Sequence, residues 1–413
     1  MVQSIAIAGN SGPKVRSDCE ISLELNAEGG INIDLVSKVK SLYGESIRTL
    51  TIEILEFFKI RNASVKITDS GALPFVIAAR LESAVKQLID TDLDYLPEFI
   101  IENNYSTSRN RFRFSRLYLP GNTPGLMINA GLHSADGIIL DLEDSVASGK
   151  KDEARILVRN ALRQVNFYGA ERMVRINQGE KGLEDLRFVI PHNVNLILIP
   201  KCESASYVSR VAEEIYNIKK ALSLNLNLNN PVFLMPIIET ALGVENAFEI
   251  ARASKDVVAL AIGLEDYTAD LGVPRTSEGN ESFYARTRIV VAAKAAGIQP
   301  IDSVFSDVGN MEALRQNVLI SKGLGFEGMG CIHPRQIPVI RNGFAPEESE
   351  IEKSRKIIFA FEMAKRKGLG VIAIGTKMID LPVVDRAQKT IDLAVRLGLL
   401  SPNWIDGFQA EDN

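Results

Sequence analysis

Between about residues 115 and 335, short β-branched and aliphatic runs alternate with longer stretches whose apolar residues recur at helical spacing. Eight runs stand out: RLYLPG (116–121), GIILDLED (137–144), RMVRIN (172–177), LILIPK (196–201), VFLMPIIET (232–240), VVALAIGLED (257–266), PIDSVFSD (300–307) and GMGCIHP (328–334). Most are near-continuously apolar, the pattern of parallel strands covered on both faces. The stretches between them, such as 150–164 and 283–297, the second ending at Gly297, predict helices. Eight strand-helix units predict an α/β fold, a (β/α)8 TIM barrel, with a doubly wound open sheet as the alternative.

Residues 1–90 have another rhythm. Cys19, Ile21, Leu23 and Leu25 alternate with Asp18, Glu20, Ser22 and Glu24, the period of a half-buried strand. A helix is predicted over 36–58, with Leu42, Ile47, Leu50, Ile54, Leu55 and Phe58 on its apolar side. A short strand around ASVKI and, after Asp69-Ser70-Gly71, a second helix through 72–88 complete a small α+β domain. The stretch 91–114 changes from acidic to polar to basic and reads as a linker. The barrel is expected over 115–340, and 341–413 as a helix-rich extension, read as a lid and interrupted by GLGVIAIGTKMIDLP (368–382). LSLNLNLNN (222–230) reads as a surface loop.

Composition narrows the partners. Of 413 residues, 46% are apolar and 24% charged, which argues against wholesale disorder, and a net charge of −5 offers no overall attraction to nucleic acid or an anionic membrane. No apolar run approaches the ~20 residues of a membrane span. MVQSIAIAGNSGPK has no basic run ahead of an apolar segment, so no secretory signal is read and a cytoplasmic location is expected. Cys19, Cys202 and Cys331 lie far apart, so reduced thiols are expected, and no two of the three histidines are four residues apart. A zinc site is therefore disfavoured, and any metal should sit on carboxylates, which select Mg2+ or a similar hard cation.

In most of the predicted strands polar residues gather at the C-terminal end, where a barrel's catalytic loops begin: Asp141, Glu143 and Asp144; Arg175 and Asn177; Lys201; Glu239; Glu265 and Asp266; Asp307; His333. Glu239 and Asp266 close neighbouring strands, so both carboxylates can face one mouth and hold Mg2+; a helix-capping role for Glu239 is equally open. Arg175 can hold a carboxylate or enolate oxygen through its fork of donors, pair with Glu143 or Asp144, or do both.

RLYLPG, DLEDSV with K and AR following (141–155), VRIN (174–177), IPK (199–201), IIETALGVENA (237–247), AIGLEDYTADLG (261–272), AGIQPIDSVFSD (296–307) and GFEGMGCIHPRQI (325–337) together resemble the citrate lyase β-subunit family, HpcH/HpaI-like carbon-carbon lyases, over about 115–395. The resemblance implies Glu239 and Asp266 as Mg2+ ligands, Arg175, Asn177 and Lys201 as substrate contacts, and Glu143 and Asp144 as groups beside the metal waters. GTKMIDLP is similar to the family's C-terminal motif, which makes Asp380 an acid/base that often completes a neighbouring subunit's site. Read alone, an Asp before Leu-Pro is a turn or cap residue.

Residues 5–88, with IAG, SDCEISLEL, GESIRTLTIEIL and DSGALPFVIAARLESAV, resemble the γ subunit of citrate lyase, a small acyl carrier protein. That implies a phosphoribosyl-dephospho-coenzyme A arm on Ser17, with Ser11 as rival and an unmodified domain as a third possibility. The two resemblances imply cleavage of a 3-hydroxy-3-carboxyacyl thioester such as citryl-carrier to acetyl-carrier and oxaloacetate. They also imply an acyltransferase partner resembling the citrate lyase α subunit and a homotrimer or hexamer. The alternatives are a lyase for free coenzyme A thioesters such as citramalyl- or malyl-coenzyme A, and an inactive carrier or scaffold.

Overall fold

A computed structural model of the chain describes residues 5–222, 230–366, 372–374, 377–406 and 408. Most of LSLNLNLNN and part of GLGVIAIGTKMIDLP lie outside the described residues.

Every predicted barrel run overlaps a strand, numbered after the four strands of the first domain: β5 (Ser115–Pro120), β6 (Gly137–Asp141), β7 (Glu171–Arg175), β8 (Leu196–Ile199), β9 (Phe233–Ile238), β10 (Ala259–Ile262), β11 (Gln299–Ile301) and β12 (Met329–Cys331). They pair in parallel in the order β11-β10-β9-β8-β7-β6-β5-β12. The seam between β11 and β12 is carried by the bridge Asp302↔Met329 and the Asp302 N–H donated to the Gly328 oxygen at 2.8 Å. The fold is thus the eight-stranded α/β barrel, not the open sheet. Successive side chains alternate between an inner layer that includes Ile139, Met173, Leu198, Met235 and Ile301 and the main core beneath the helices, with Leu117, Ile138, Leu140, Val174 and Ile197.

The first domain is a four-stranded sheet of order β1-β2-β4-β3, made from β1 (Ile5–Gly9), β2 (Cys19–Leu25), β3 (Ile31–Ser37) and β4 (Ala63–Asp69), with the helices Lys40–Phe57 and Pro74–Leu88. Two strands go beyond the periodicity reading. The helix expected from residue 36 starts at Lys40, because 31–37 pair in parallel with 63–69 as an edge strand whose alternation of Asn32 and Asp34 with apolar residues is weak.

The helix Pro74–Leu88 packs on the barrel helix Lys151–Gln164, and their contact is ionic as well as apolar. Arg159 meets Glu82 through two bonds (2.9 and 2.6 Å), and both side chains are fully buried. Glu153 accepts the Gly9 N–H (2.9 Å), and Asn160 Nδ2 donates to the Phe75 oxygen (3.2 Å). The stretch 91–114, read as a linker, is a strap pinned to the barrel over most of its length. Arg163 donates to Pro97 O, Asn103 Nδ2 to Val165 O (2.6 Å) and Tyr105 Oη to Ala170 O (2.7 Å), and Arg113 Nε grips the buried Glu171 at 2.7 Å. Polarity alone marks a segment as surface-running; it does not say whether barrel carbonyls and acids await it.

The C-terminal extension folds into the helices Glu348–Arg366 and Leu381–Arg396 around Ile357, Ile358, Ile379, Ala387 and Ile391. Leu393 and Leu397 rest on the main core, and Arg396 donates to Asn110 O at 2.5 Å. All three cysteines are buried and unpaired. Among the described residues no helix is long and apolar enough to cross a membrane.

Candidate active site

The C-terminal ends of the barrel strands surround a cavity of about 390 Å3 whose walls include Asp141, Asp144, Arg175, Glu239 and Asp266. Register sets Asp141 directly beside Arg175 on the next strand. Arg175 donates to both Asp141 oxygens (2.6 and 2.7 Å) and its Nη1 lies 3.0 Å from Glu143 and 3.7 Å from Asp144. Arg175 is therefore ion-paired, with Asp141 joining the expected Glu143 and Asp144, and its guanidinium lines the cavity. Burial alone would weaken this cation, but the bonds and charge of Asp141 outweigh burial and raise its pKa further. Burial likewise opposes the ionised Asp141, and the Arg175 bonds win, holding its pKa below the ordinary value.

Glu239 follows β9 and is 4% exposed. It does not cap the next helix, because Thr240 does so, accepting the Gly243 N–H at 3.1 Å. Instead Glu239 Oε2 accepts the Lys201 N–H at 2.8 Å, and the other oxygen lies against Gly263, where a Cβ would stand 2.5 Å from Oε1. Gly263 is thus the space that the carboxylate occupies. Burial outweighs the Lys201 bond and pushes the Glu239 pKa up to about 7. Asp266, in the first turn of the helix Leu264–Leu271, is partly exposed and meets Lys201 Nζ at 3.1 Å. Burial opposes the Lys201 ammonium, but the Asp266 bond and charge hold its pKa above the ordinary value. Lys201 has a φ of 43°, a strained value for a non-glycine residue at the rim of a site.

On the cavity wall Asp141, Asp144, Glu239, Glu265, Asp266 and Asp302 outnumber Arg116 and Arg175, and burial leaves Glu239 poorly compensated. That donor set fits a hard divalent cation. Among the described residues no three His, Cys, Asp or Glu side chains converge as a group that could hold a metal ion, so protein ligation here would come from fewer groups. Two carboxylates from adjacent strands suit the open coordination of Mg2+, completed by waters and substrate oxygens.

Other predicted residues lie elsewhere. Asn177 faces the helical layer, donating to Asp185 (2.7 Å) and accepting from Lys151. Glu143 stands behind Arg175 and accepts from Gln178 at 2.7 Å. Asp380 is exposed and caps the helix Leu381–Arg396, accepting the Val383 N–H at 3.3 Å; it is not part of this chain's cavity wall. Sequence reading overlooked Arg116, Tyr118 and Gly263, all on that wall. A signal for the first two existed: in SRLYLP, Leu117 and Leu119 alternate with Arg116 and Tyr118, so a strand covered on both faces turns its polar pair inward.

Ser17 (φ 55°) belongs to a loop that abuts the loop after β5. Asp18 is held by Arg80 through two bonds (3.0 and 2.9 Å) and by Asn10 (2.9 Å), and Arg80 also donates to the Asn122 oxygen (2.9 Å). Ser11, Lys14 and Arg16 face Asn122, Thr123 and Leu126 across a second cavity of about 520 Å3. A Cβ on Gly125 would come within 2.9 Å of the Arg16 oxygen. Residues 122–126 leave β5 at its C-terminal end, so the first domain's loop lies at the barrel face that carries the candidate site.

Comparison with known proteins matches both units. Residues 6–88 match the acyl carrier family model described as malonate decarboxylase delta subunit (MdcD), and residues 115–334 match that of HpcH/HpaI aldolase/citrate lyase. Citrate lyase subunit beta of Escherichia coli K12 is 37% identical over 302 residues, covering 73% of this chain and 99% of the relative. The mitochondrial citramalyl-CoA lyase of Homo sapiens is 31% identical over 307 residues, covering 71% and 89%. CitE from Mycobacterium tuberculosis in complex with magnesium, acetoacetate and coenzyme A superposes with a TM-score of 0.57 at 29% identity, covering 70% of this chain and 99% of that one. With carboxylates gathered at one mouth of its barrel and a family match over more than half of its length, the chain belongs to the HpcH/HpaI aldolase/citrate lyase family and is an oxo-acid lyase whose barrel follows an ACP-like domain.

Proposed function

We propose that the chain is an Mg2+-dependent lyase that cleaves a 3-hydroxy-3-carboxyacyl thioester, citryl-carrier, into acetyl-carrier and oxaloacetate, with the thioester carried on its own N-terminal domain at Ser17. The observation that carries this reading is the position of the Ser11–Asp18 loop against residues 122–126 at the cavity face. Glu239 and Asp266 would hold the ion, which when bound supplies Lewis acidity to the hydroxyl and adjacent carboxylate of the substrate. The carbinol hydroxyl gives its proton to the Asp380 carboxylate as its oxygen becomes the ketone, the electrons of the breaking carbon-carbon bond pass to the thioester carbonyl, and Arg175, kept cationic by Asp141 and Glu143, stabilises that enolate oxygen. Lys201 contributes a second cation for the substrate carboxylate. Asp380, which does not line its own chain's cavity, serves a neighbouring copy in a cytoplasmic homotrimer or hexamer and returns that proton to the enolate carbon. A covalent phosphoribosyl-dephospho-coenzyme A arm on Ser17 and an α-like acyltransferase partner complete the reading.

Free citramalyl- or malyl-coenzyme A is the second reading, favoured by the likeness to citramalyl-CoA lyase. The test is intact-mass analysis of the chain from its native host with thioester cleavage by the wild type and Ser17→Ala. A phosphoribosyl-dephospho-coenzyme A mass on Ser17, with Ser17→Ala inactive toward carrier-bound acyl groups, supports the proposal. An unmodified chain that cleaves only free coenzyme A thioesters overturns it.

A further inference from the structure

Arg116 lies in the inner layer of the barrel, on the same face of β5 as Tyr118, and is 1% exposed. Its partners in register on both flanking strands are glycines, Gly137 on β6 and Gly330 on β12, and the room beside them is taken by Met173 and by Val304 and Tyr118, none of which supplies an anion. Its Nη1 has only the Met235 sulfur, 2.9 Å away and a weak acceptor, and its Nε has no partner. Among the described residues no carboxylate is paired with it. The acids of this interior are committed elsewhere, Glu171 to Arg113 and Asp302 to Arg286. A guanidinium cannot escape burial by losing its proton at neutral pH, and an uncompensated buried charge is costly. Yet Arg116 lines the cavity that also holds Glu239 and Arg175.

We propose that Arg116 is a specificity residue that pairs with a second carboxylate of the substrate, so that the 2-oxo acid released is a dicarboxylate. The inference rests on the lyase reading, in which the hydroxy-carboxylate and thioester carbonyl sit at the mouth with Glu239, Asp266 and Arg175. The remaining substituent on the carbinol carbon then points down the barrel. Arg116 is four residues below Pro120, the register partner of Asp141, roughly 13 Å of strand rise. Arg116 nevertheless lines the same cavity as the mouth residues, which is the opening a short acidic arm would enter. A methyl group or hydrogen at this position would leave the cation unpaired, which disfavours substrates that yield pyruvate or glyoxylate.

The test is calorimetric titration of the full Mg2+-loaded chain with oxaloacetate and with pyruvate, for the wild type, Arg116→Met and Arg116→Lys, together with melting of the ligand-free proteins. The wild type should prefer oxaloacetate. Arg116→Met should lose about 100-fold in oxaloacetate affinity, the scale of a charge-assisted pair, with pyruvate affinity unchanged. Arg116→Lys should keep part of the preference. Arg116→Met should also melt at or above the wild-type temperature, because an unpaired charge is replaced by an apolar chain beside Met235. No preference in the wild type, equal loss for both acids, or unchanged oxaloacetate binding in Arg116→Met overturns the proposal. Failure to cleave citryl thioesters with the oxaloacetate preference intact would instead overturn the citryl-carrier reading and leave the role of Arg116 standing.

Discussion

Replacing Arg159 by leucine should loosen the first domain from the barrel. Arg159 and Glu82 are both fully buried and joined by bonds of 2.9 and 2.6 Å, and Arg159 also reaches Asp94 (3.0 Å) and the Tyr95 oxygen (3.2 Å). Opposite unit charges about 3 Å apart attract by roughly 5–6 kcal/mol at an effective dielectric near 20, and desolvation of the two groups offsets much of that. Removing one partner is different from removing both. Burial already holds the Glu82 pKa above its ordinary value with Arg159 in place, and without Arg159 the carboxyl keeps Lys86 at 3.4 Å and the Tyr95 N–H at 3.2 Å. The expected loss is about 3–5 kcal/mol, from the cost of a buried charge left unpaired. Urea unfolding and calorimetry of the full chain should show the first domain melting earlier in Arg159→Leu. Arg159→Leu combined with Glu82→Met should recover most of the loss, because the stranded carboxylate is gone. A change below about 1 kcal/mol in the single variant, or additivity within about 0.5 kcal/mol across the cycle, would refute this account.

Three further outcomes are expected. Burial first, and then the Arg163 guanidinium 3.0 Å from Nδ1, lower the His192 pKa to about 3. Between pH 6.5 and 3 the unfolded chain therefore binds a proton that the native state refuses, so this stability is present above 6.5 and lost as pH falls, by up to the order of 5 kcal/mol. His192→Gln should flatten the pH dependence of the urea midpoint in that window; an unchanged slope would count against the burial argument. Gly263→Ala places a methyl group 2.5 Å from Glu239 Oε1 and should weaken Mg2+ binding at least tenfold by calorimetry, since Glu239 must turn away. Asp380→Asn preserves an N-cap and should keep stability within about 0.5 kcal/mol while turnover falls about 100-fold or more. Mixing it with Glu239→Gln chains should restore part of the activity if Asp380 works across copies, and no restoration would remove that role.

Periodicity was sufficient to locate all eight barrel strands, because strands buried on both faces must be apolar throughout and the helices between them amphipathic. The same logic reaches the polar strand ends, and so Asp141, Arg175, Glu239 and Asp266, which a parallel barrel must bring to one face. It could not rank them. Whether Glu239 capped a helix or faced the cavity depended on Thr240 taking the cap and Gly263 yielding the space. Asn177 has the same strand-end position as other site residues, yet Asp185 and Lys151 draw it into the helical layer. The strap 91–114 is another such case, polar in sequence and fixed only by partners tens of residues away.

The sequence by itself determined the eight barrel strands, the helices between them and the α/β class, since burial periodicity is a local property of the chain. Only the tertiary structure decided that the first domain rests its Ser11–Asp18 loop at the barrel's open face and that Arg116 stands inside the barrel without an anion. Charge compensation is settled by which groups come within a few ångströms of each other, and that depends on contacts between residues far apart in the chain.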